Sequence, residues 1–410
     1  MMRLTAYMAV LLLCPALRAY SVLTHEAIID SAWDTNIKPL LLQRFPNATA
    51  EDLVRAHAYA YGGCILQDMG YYPFGSRFFS GLVHYVRTGD FVKALIDESR
   101  DLDEYAFTVG SLAHYAADNL GHALAVNPSV AAAYPKLQRK FGNVVTYADD
   151  PTAHLKVEFG FDVLQVARGS YAPQAYHDFI GFAVSKGVLE RAFRDTYAMD
   201  LNQVFADLDL ALATYRHTVS SVIPAMTRVA WNLKKDELLA ANPGTTRRRF
   251  VYNLSRASFR KEWGKDYRQP GLGTRILAFF VRILPKVGPL KAAAFQAPTP
   301  QTTRWFEDSF DQTLDLYRAL LTDEKRGQLR LPNRDFDTGG MSAPAEYRLA
   351  DDTYAKLAIA LAEKDTPTLD PKLRDDILAF YANLDLPFAT KKDAEAWRKT
   401  VSAIGKLKSR

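Results

Sequence analysis

The sequence predicts an all-α protein, and three observations carry that expectation. Apolar residues recur at three- and four-residue spacing through most of the chain. Alternating strand patterns are nearly absent. A helix-start signal, Asp150 followed by Pro151, precedes one of the longest periodic stretches. With 48% hydrophobic and 24% charged residues, the composition belongs to an ordinary globular chain and excludes a disordered or fibrous one. A formal charge of +5 over 410 residues is too mild to argue for nucleic acid.

The first segment, MMRLTAYMAVLLLCPALRAY, has a basic Arg3, a short apolar run, Pro15 and the small Ala19. It reads as a secretory signal peptide over residues 1–19, which makes Tyr20 the first residue of an exported mature chain. Removal leaves Cys64 as the single cysteine, so no internal disulfide framework is expected. Helical patterns follow at 24–34, 50–69, 90–100, 102–124, 152–168 and 202–233, forming a front domain over 20–240. Between residues 245 and 291 twelve Lys or Arg face two acids. This basic connector, 241–300, also holds the apolar run RILAFFVRILPKVGPLKAAAF. Arg275, Arg282, Lys286 and Lys291 flank that run, so 275–291 suits peripheral contact with an anionic membrane. The competing reading is a buried connection with solvated arginines. Helices at 305–321, 345–363, 371–384 and 391–407 complete a C-terminal region, 301–410.

Within GSLAHYAADNLGH, His114, Asp118 and His122 stand four residues apart, on one stripe of a helix. The surrounding alanines and leucines argue against a wet surface. His154 and Glu158 repeat the spacing, and His25, Asp68 and His84 add three more sites. Five of the eight histidines fall in this set, all before residue 160. An isolated HxxxD or HxxxE is usually a satisfied polar cluster. Several together supply the imidazole and carboxylate donors that zinc takes. His57 reads as a packing or hydrogen-bonding residue behind Asp68, His177 and His217 as ordinary histidines, and Glu26 is given no role.

The order Tyr20, His25, Asp68, His84, His114-x-x-x-Asp118-x-x-x-His122, His154-x-x-x-Glu158 resembles the three-zinc phospholipase C family, which shares its fold and metal cage with secreted single-strand nucleases. The resemblance covers roughly residues 20 to 235 and leaves a helical C-terminal extension. It implies that Asp68, His84, His114 and Asp118 hold one Zn2+. Asp118 bridges to a second, completed by His25 and by the α-amine and carbonyl of Tyr20, and His122, His154 and Glu158 hold a third. Only cleavage of the signal frees that amine, and only its deprotonated form coordinates. Family members usually begin with tryptophan, so Tyr20 is a departure that backbone ligands tolerate.

Three zinc ions set against three carboxylates leave a cleft of about +3, suited to a phosphate diester. The implied reaction is attack of zinc-activated water on phosphorus in a phospholipid or related head-group ester. Asp68 is either the catalytic base or a ligand only. The family's choline pocket maps onto Leu23, Met69 and Gly81, none of which suits a quaternary ammonium. Aromatics at 71–79 are the remaining source of a pocket. Two other functions stay open: a single-strand nuclease or 3′-nucleotidase on the same cage, and a non-catalytic zinc-stabilised module that binds lipid or protein. The single mature cysteine weighs against the nucleases, which usually carry disulfides, and no obligate nucleic-acid partner is expected.

Overall fold

The computed structural model describes residues 22–168, 182–219, 295–363 and 370–409. The segment 1–19 expected to be a signal peptide, Tyr20, His177, the side chain of His217 and nearly all of the basic connector, including 275–291, lie outside the described residues. Within them the fold is all-α, as the periodicity predicts, with one isolated bridge between Arg334 and Met341.

Helix α1 (Val22–Ala32) passes through a π-helical turn, Trp33–Ile37, into α2 (Lys38–Arg44). Helix α3 (Ala50–Gly63) starts at a reciprocal cap: the Thr49 hydroxyl accepts from the Asp52 amide, and the Asp52 carboxylate accepts from the Thr49 amide. A 3-10 turn, Leu66–Tyr71, leads to α4 (Arg77–Tyr85) and α5 (Thr88–Asp97). Helix α6 (Leu102–Gly121) opens on Asp101, whose carboxylate accepts from the Glu104 amide. A second π-helical turn, His122–Val126, continues into α7 (Asn127–Ala133) and α8 (Pro135–Phe141). Helix α9 (Pro151–Arg168) begins where the sequence places it, with Asp150 accepting from the Ala153 amide at 2.8 Å. Then come α10 (Lys186–Tyr197), α11 (Leu208–His217), α12 (Pro300–Lys325), α13 (Arg348–Glu363), α14 (Pro371–Phe380) and α15 (Ala394–Lys408).

Helix α6 is the axis of the fold and is buried along most of its length. Its apolar side chains Phe107, Val109 and Leu112 are fully enclosed, each contributing about 1.5–3 kcal/mol by leaving water. Helix α3 lies so close that the backbones touch. A Cβ on Gly63 would stand 1.8 Å from the Phe107 carbonyl oxygen, and one on Gly110 would stand 2.1 Å from that of Ala60. Helix α12 closes another side, where the Tyr317 hydroxyl donates to the Val109 carbonyl at 3.0 Å. Its Phe306 also stacks on Phe161 of α9 at 4.7 Å between centroids. One hydrophobic cluster runs from Val22 to Leu407, so the helices after residue 295 share the core of the front helices.

Two elements differ from the sequence expectation in ways that shape the site. The helix expected over 50–69 stops at Gly63, because two successive glycines are poor helix formers and α6 crowds the backbone there. Asp68 therefore sits on a tight turn. The helix expected over 102–124 ends at Gly121 and widens into the π-helical turn that begins at His122. Such widenings re-aim a side chain without breaking the helix.

Candidate metal centre

Six elements deliver the eight described residues of the predicted constellation. Helix α1 carries His25, the 3-10 turn Asp68, α4 His84, α6 both His114 and Asp118, the π-helical turn His122, and α9 His154 and Glu158. None of these side chains is more than 3% exposed. They converge as three groups whose potential ligand atoms lie within 4.8 Å of one another: His25, His114 and Asp118; Asp68, His84 and His114; His122, His154 and Glu158. Tyr20 lies outside the described residues.

Asp118 is the hub. One carboxylate oxygen is 3.5 Å from His25 Nε2. The other is 2.9 Å from His114 Nε2, 3.6 Å from His84 Nε2 and 3.8 Å from His122 Nε2. The ring of His25 stacks on His114 at 4.5 Å, and that of His122 stacks on His154 at 5.0 Å. Glu158 Oε1 lies 2.7 Å from His154 Nδ1.

The far side of each ring fixes which nitrogen faces inward. His84 Nδ1 donates to the Ser80 carbonyl at 2.8 Å, and His114 Nδ1 donates to the Cys64 carbonyl at 2.9 Å. A carbonyl only accepts, so Nδ1 carries a hydrogen in both rings and Nε2 is the nitrogen that faces the interior, with its lone pair available once the ring is neutral. The second contact exists because Gly63 and Gly110 let α3 and α6 touch, which brings the Cys64 carbonyl within reach. Despite burial, His84 Nε2, His114 Nε2, Asp68 Oδ1, both oxygens of Asp118 and both ring nitrogens of His122 have no hydrogen-bond partner among the described residues. An unsatisfied buried polar group costs about 1–3 kcal/mol, and a charged one more. A cation between these atoms removes that cost, and the nitrogen and carboxylate donors fit zinc.

Charge is arranged to match. Burial works to raise the Asp118 carboxyl, but His114, His84 and His122 outweigh it and hold Asp118 well below the usual range. Burial and the neighbouring His114 ring push His25 well below an ordinary imidazole, which keeps it neutral. Burial also opposes the His84 imidazolium, yet the Asp118 and Asp68 carboxylates push that group up to about 9. Burial raises the Asp68 carboxyl, with the imidazoles acting in the opposite direction.

His57 stands apart, 3.2 Å from Asp30 Oδ1 and stacked on Trp33 at 3.7 Å, in the packing role its sequence context suggests. Leu23 and Met69 are buried, and Gly81 faces Thr353, whose hydroxyl oxygen would be 2.8 Å from an added Cβ. None of the three forms a cation cage. Tyr72 packs on Tyr215, and Phe79 on Phe193 and Phe205. Phe74, 43% exposed with a left-handed φ of 64°, is the outward-facing aromatic of that stretch.

Three supporting residues escaped the sequence reading. Asp162, four residues beyond Glu158, accepts from the Leu23 amide at 3.1 Å and from the Thr24 hydroxyl, anchoring the start of α1 beside His25. Its i, i+4, i+8 register with His154 and Glu158 was a usable signal. Asn127 sits 2.8 Å from His154 Nε2. Phe336 comes from the distant C-terminal region: its amide donates to the His84 carbonyl at 3.1 Å, and its ring packs against His84 and His114. Nothing in the local sequence marks the last two.

Residues 24–207 match the family model described as zinc dependent phospholipase C. No curated protein and no solved structure matches the chain. The matched segment contains all eight described residues of the constellation on an all-helical scaffold. The likeness to the zinc-dependent phospholipase C family is thus carried by residues 24–207, a little under half of the chain, and it supports that family for this segment.

Proposed function

We propose that the chain is an exported phosphodiester hydrolase that cleaves phospholipids or related head-group esters with up to three zinc ions. The observation that carries this reading is Asp118, wholly buried, with neither oxygen hydrogen-bonded and histidine nitrogens on both sides. Asp68, His84, His114 and Asp118 hold one ion. Asp118 is shared with a second, completed by His25 and the terminal amine and carbonyl of Tyr20. His122, His154 and Glu158 hold the third. Bound zinc supplies positive charge to the phosphoryl oxygens and lowers the pKa of water from about 15.7 to about 7.

The chain's own residues set the terms of that chemistry. Main-chain carbonyls of Ser80 and Cys64 orient the His84 and His114 rings, so binding requires no reorganisation. Asp68, raised by burial and with Oδ1 free of hydrogen bonds, accepts the proton of the attacking water. Asp162 holds the first turn of α1, the helix that carries His25.

The test combines zinc analysis and terminal sequencing of the exported protein with hydrolysis of a phospholipid panel and single-stranded DNA. Bound zinc, a Tyr20 start and lipid turnover without DNA cleavage are expected. DNA cleavage without lipid turnover overturns the substrate class. Zinc binding with neither activity marks a binding module, and full activity without zinc removes the metal reading.

A further inference from the structure

We infer that Asn127 is a positioning residue for His154, and that the C-terminal turn around Asp337 locks its orientation. This rests on the reading that His122, His154 and Glu158 hold a metal ion. Asn127 opens α7 directly after the π-helical turn and is 1% exposed. Its Nδ2 donates to the Asp337 carbonyl at 2.8 Å, and its Oδ1 lies 2.8 Å from His154 Nε2. A carbonyl only accepts, so Asp337 forces the amide nitrogen towards the C-terminal region and the amide oxygen towards His154. That oxygen in turn only accepts, so His154 Nε2 carries the hydrogen. In the neutral ring the lone pair is then on Nδ1, the atom beside Glu158 Oε1 at 2.7 Å, where a bound cation would take it. A flipped amide would present its NH2 to His154 and favour the opposite tautomer.

The clamp is itself built. The Asp337 amide donates to Asp335 Oδ1 at 2.9 Å, and its carboxylate accepts from the hydroxyls of Tyr85 at 2.9 Å and Tyr347 at 2.5 Å. Asp337 lies 210 residues beyond Asn127 and outside the matched segment 24–207, so a region beyond the family domain sets the donor atom of one of its ligands.

The test is chelator-competition titration of zinc on the full mature protein, with the zinc-to-protein ratio measured in parallel. Asn127→Leu is expected to weaken one ion about 10–100-fold and leave the others unchanged. Asn127→Asp, which keeps an acceptor but loses the donor, gives a smaller loss at the same ion and serves if the leucine variant does not fold. Asp337→Leu weakens that ion too, but adds nothing on top of Asn127→Leu, which a merely structural effect would not reproduce. Unchanged affinities, uniform weakening of every ion, or additive losses in the double variant overturn the inference. Wild-type protein that takes up no zinc overturns the metal reading itself, separately from the variants.

Discussion

The group around Asp68, His84 and His114 and the group around His122, His154 and Glu158 sit at either end of one stretch of helix, yet they are oriented by different means. In the first, the outer nitrogens of His84 and His114 rest on main-chain carbonyls of Ser80 and Cys64. Those carbonyls are fixed as soon as α4 forms and α3 docks on α6. In the second, His154 rests on a side-chain amide that needs a clamp 210 residues away. The C-terminal region touches the first group as well, through Phe336, but there it supplies packing and not the hydrogen bond that selects a tautomer. Backbone acceptors come with helix packing, whereas a side-chain acceptor has to be held.

The sharpest way to break this comparison is at the shared residue. Asp118 reaches towards both His25 and His114, while Glu158 belongs to one group. Loss of a partner outside the ligand shell costs about 10–100-fold in metal affinity, and a ligand common to two ions costs at least that at each. Asp118→Asn is therefore expected to reduce kcat/KM at least about tenfold more than Glu158→Gln, with two ions lost against one. Equal losses and equal zinc contents would show that Asp118 is no bridge.

A second distinction is pH. Without metal, His84 is raised to about 9 by the two carboxylates, above the usual imidazole value of about 6.5. Its contribution to the stability of the metal-free protein is complete below about 6.5 and is lost as pH rises through about 9. Zinc must displace the same proton. Zinc affinity at this group should thus climb by roughly tenfold per pH unit from about 7 towards 9 while metal-free Tm declines. Chelator competition and thermal melts across that range check both trends, and a flat affinity would remove the His84 proton from the balance.

The constellation was legible because helices convert spacing into direction: His114 and Asp118, then His154 and Glu158, each share a face of α6 or α9. Three features were not legible. Periodicity cannot register the extra residue of a π-helical turn, so it misses the end of α6 at Gly121, although His122 still stands 3.8 Å from Asp118 as its spacing predicts. The stop of α3 at Gly63 depends on the approach of Phe107, a contact made only in the folded core. Asn127, Phe336 and Asp337 meet their partners across a tertiary interface, where no local pattern reports the pairing. Chemistry within one helix can be read from sequence, but its support from another part of the chain cannot.

The close approach of α3 and α6 gives a smaller perturbation that still separates the two groups. Gly63→Ala drives a methyl to 1.8 Å from the Phe107 carbonyl unless the helices part. Overpacking of this kind costs about 1–3 kcal/mol. Parting the helices also withdraws the Cys64 carbonyl from His114. A lower Tm with weaker zinc binding confined to the first group is expected. Weakening of the second group alone would contradict the assignment of orientation to helix packing.

The smallest expected effect concerns the head group, on the reading that zinc held by the two groups makes one positive site. Leu23 and Met69 are buried and Gly81 is pressed against Thr353, so none of these positions presents an aromatic or acidic surface to a quaternary ammonium. A cation–π cage contributes about 0.5–2 kcal/mol, or up to roughly thirtyfold in specificity. In its absence, the proposed recognition rests on the phosphodiester common to every head group. Phosphatidylcholine, phosphatidylethanolamine and phosphatidylglycerol should be hydrolysed within about tenfold of one another, the order tilting towards the anionic lipid as net positive charge dictates. Matched short-chain lipids at fixed salt give the kcat/KM ratios. A choline preference above about a hundredfold would point instead to the aromatic stretch 71–79. Phe74 is exposed there in a left-handed conformation, and Phe74→Ala should then abolish the preference while leaving zinc content intact.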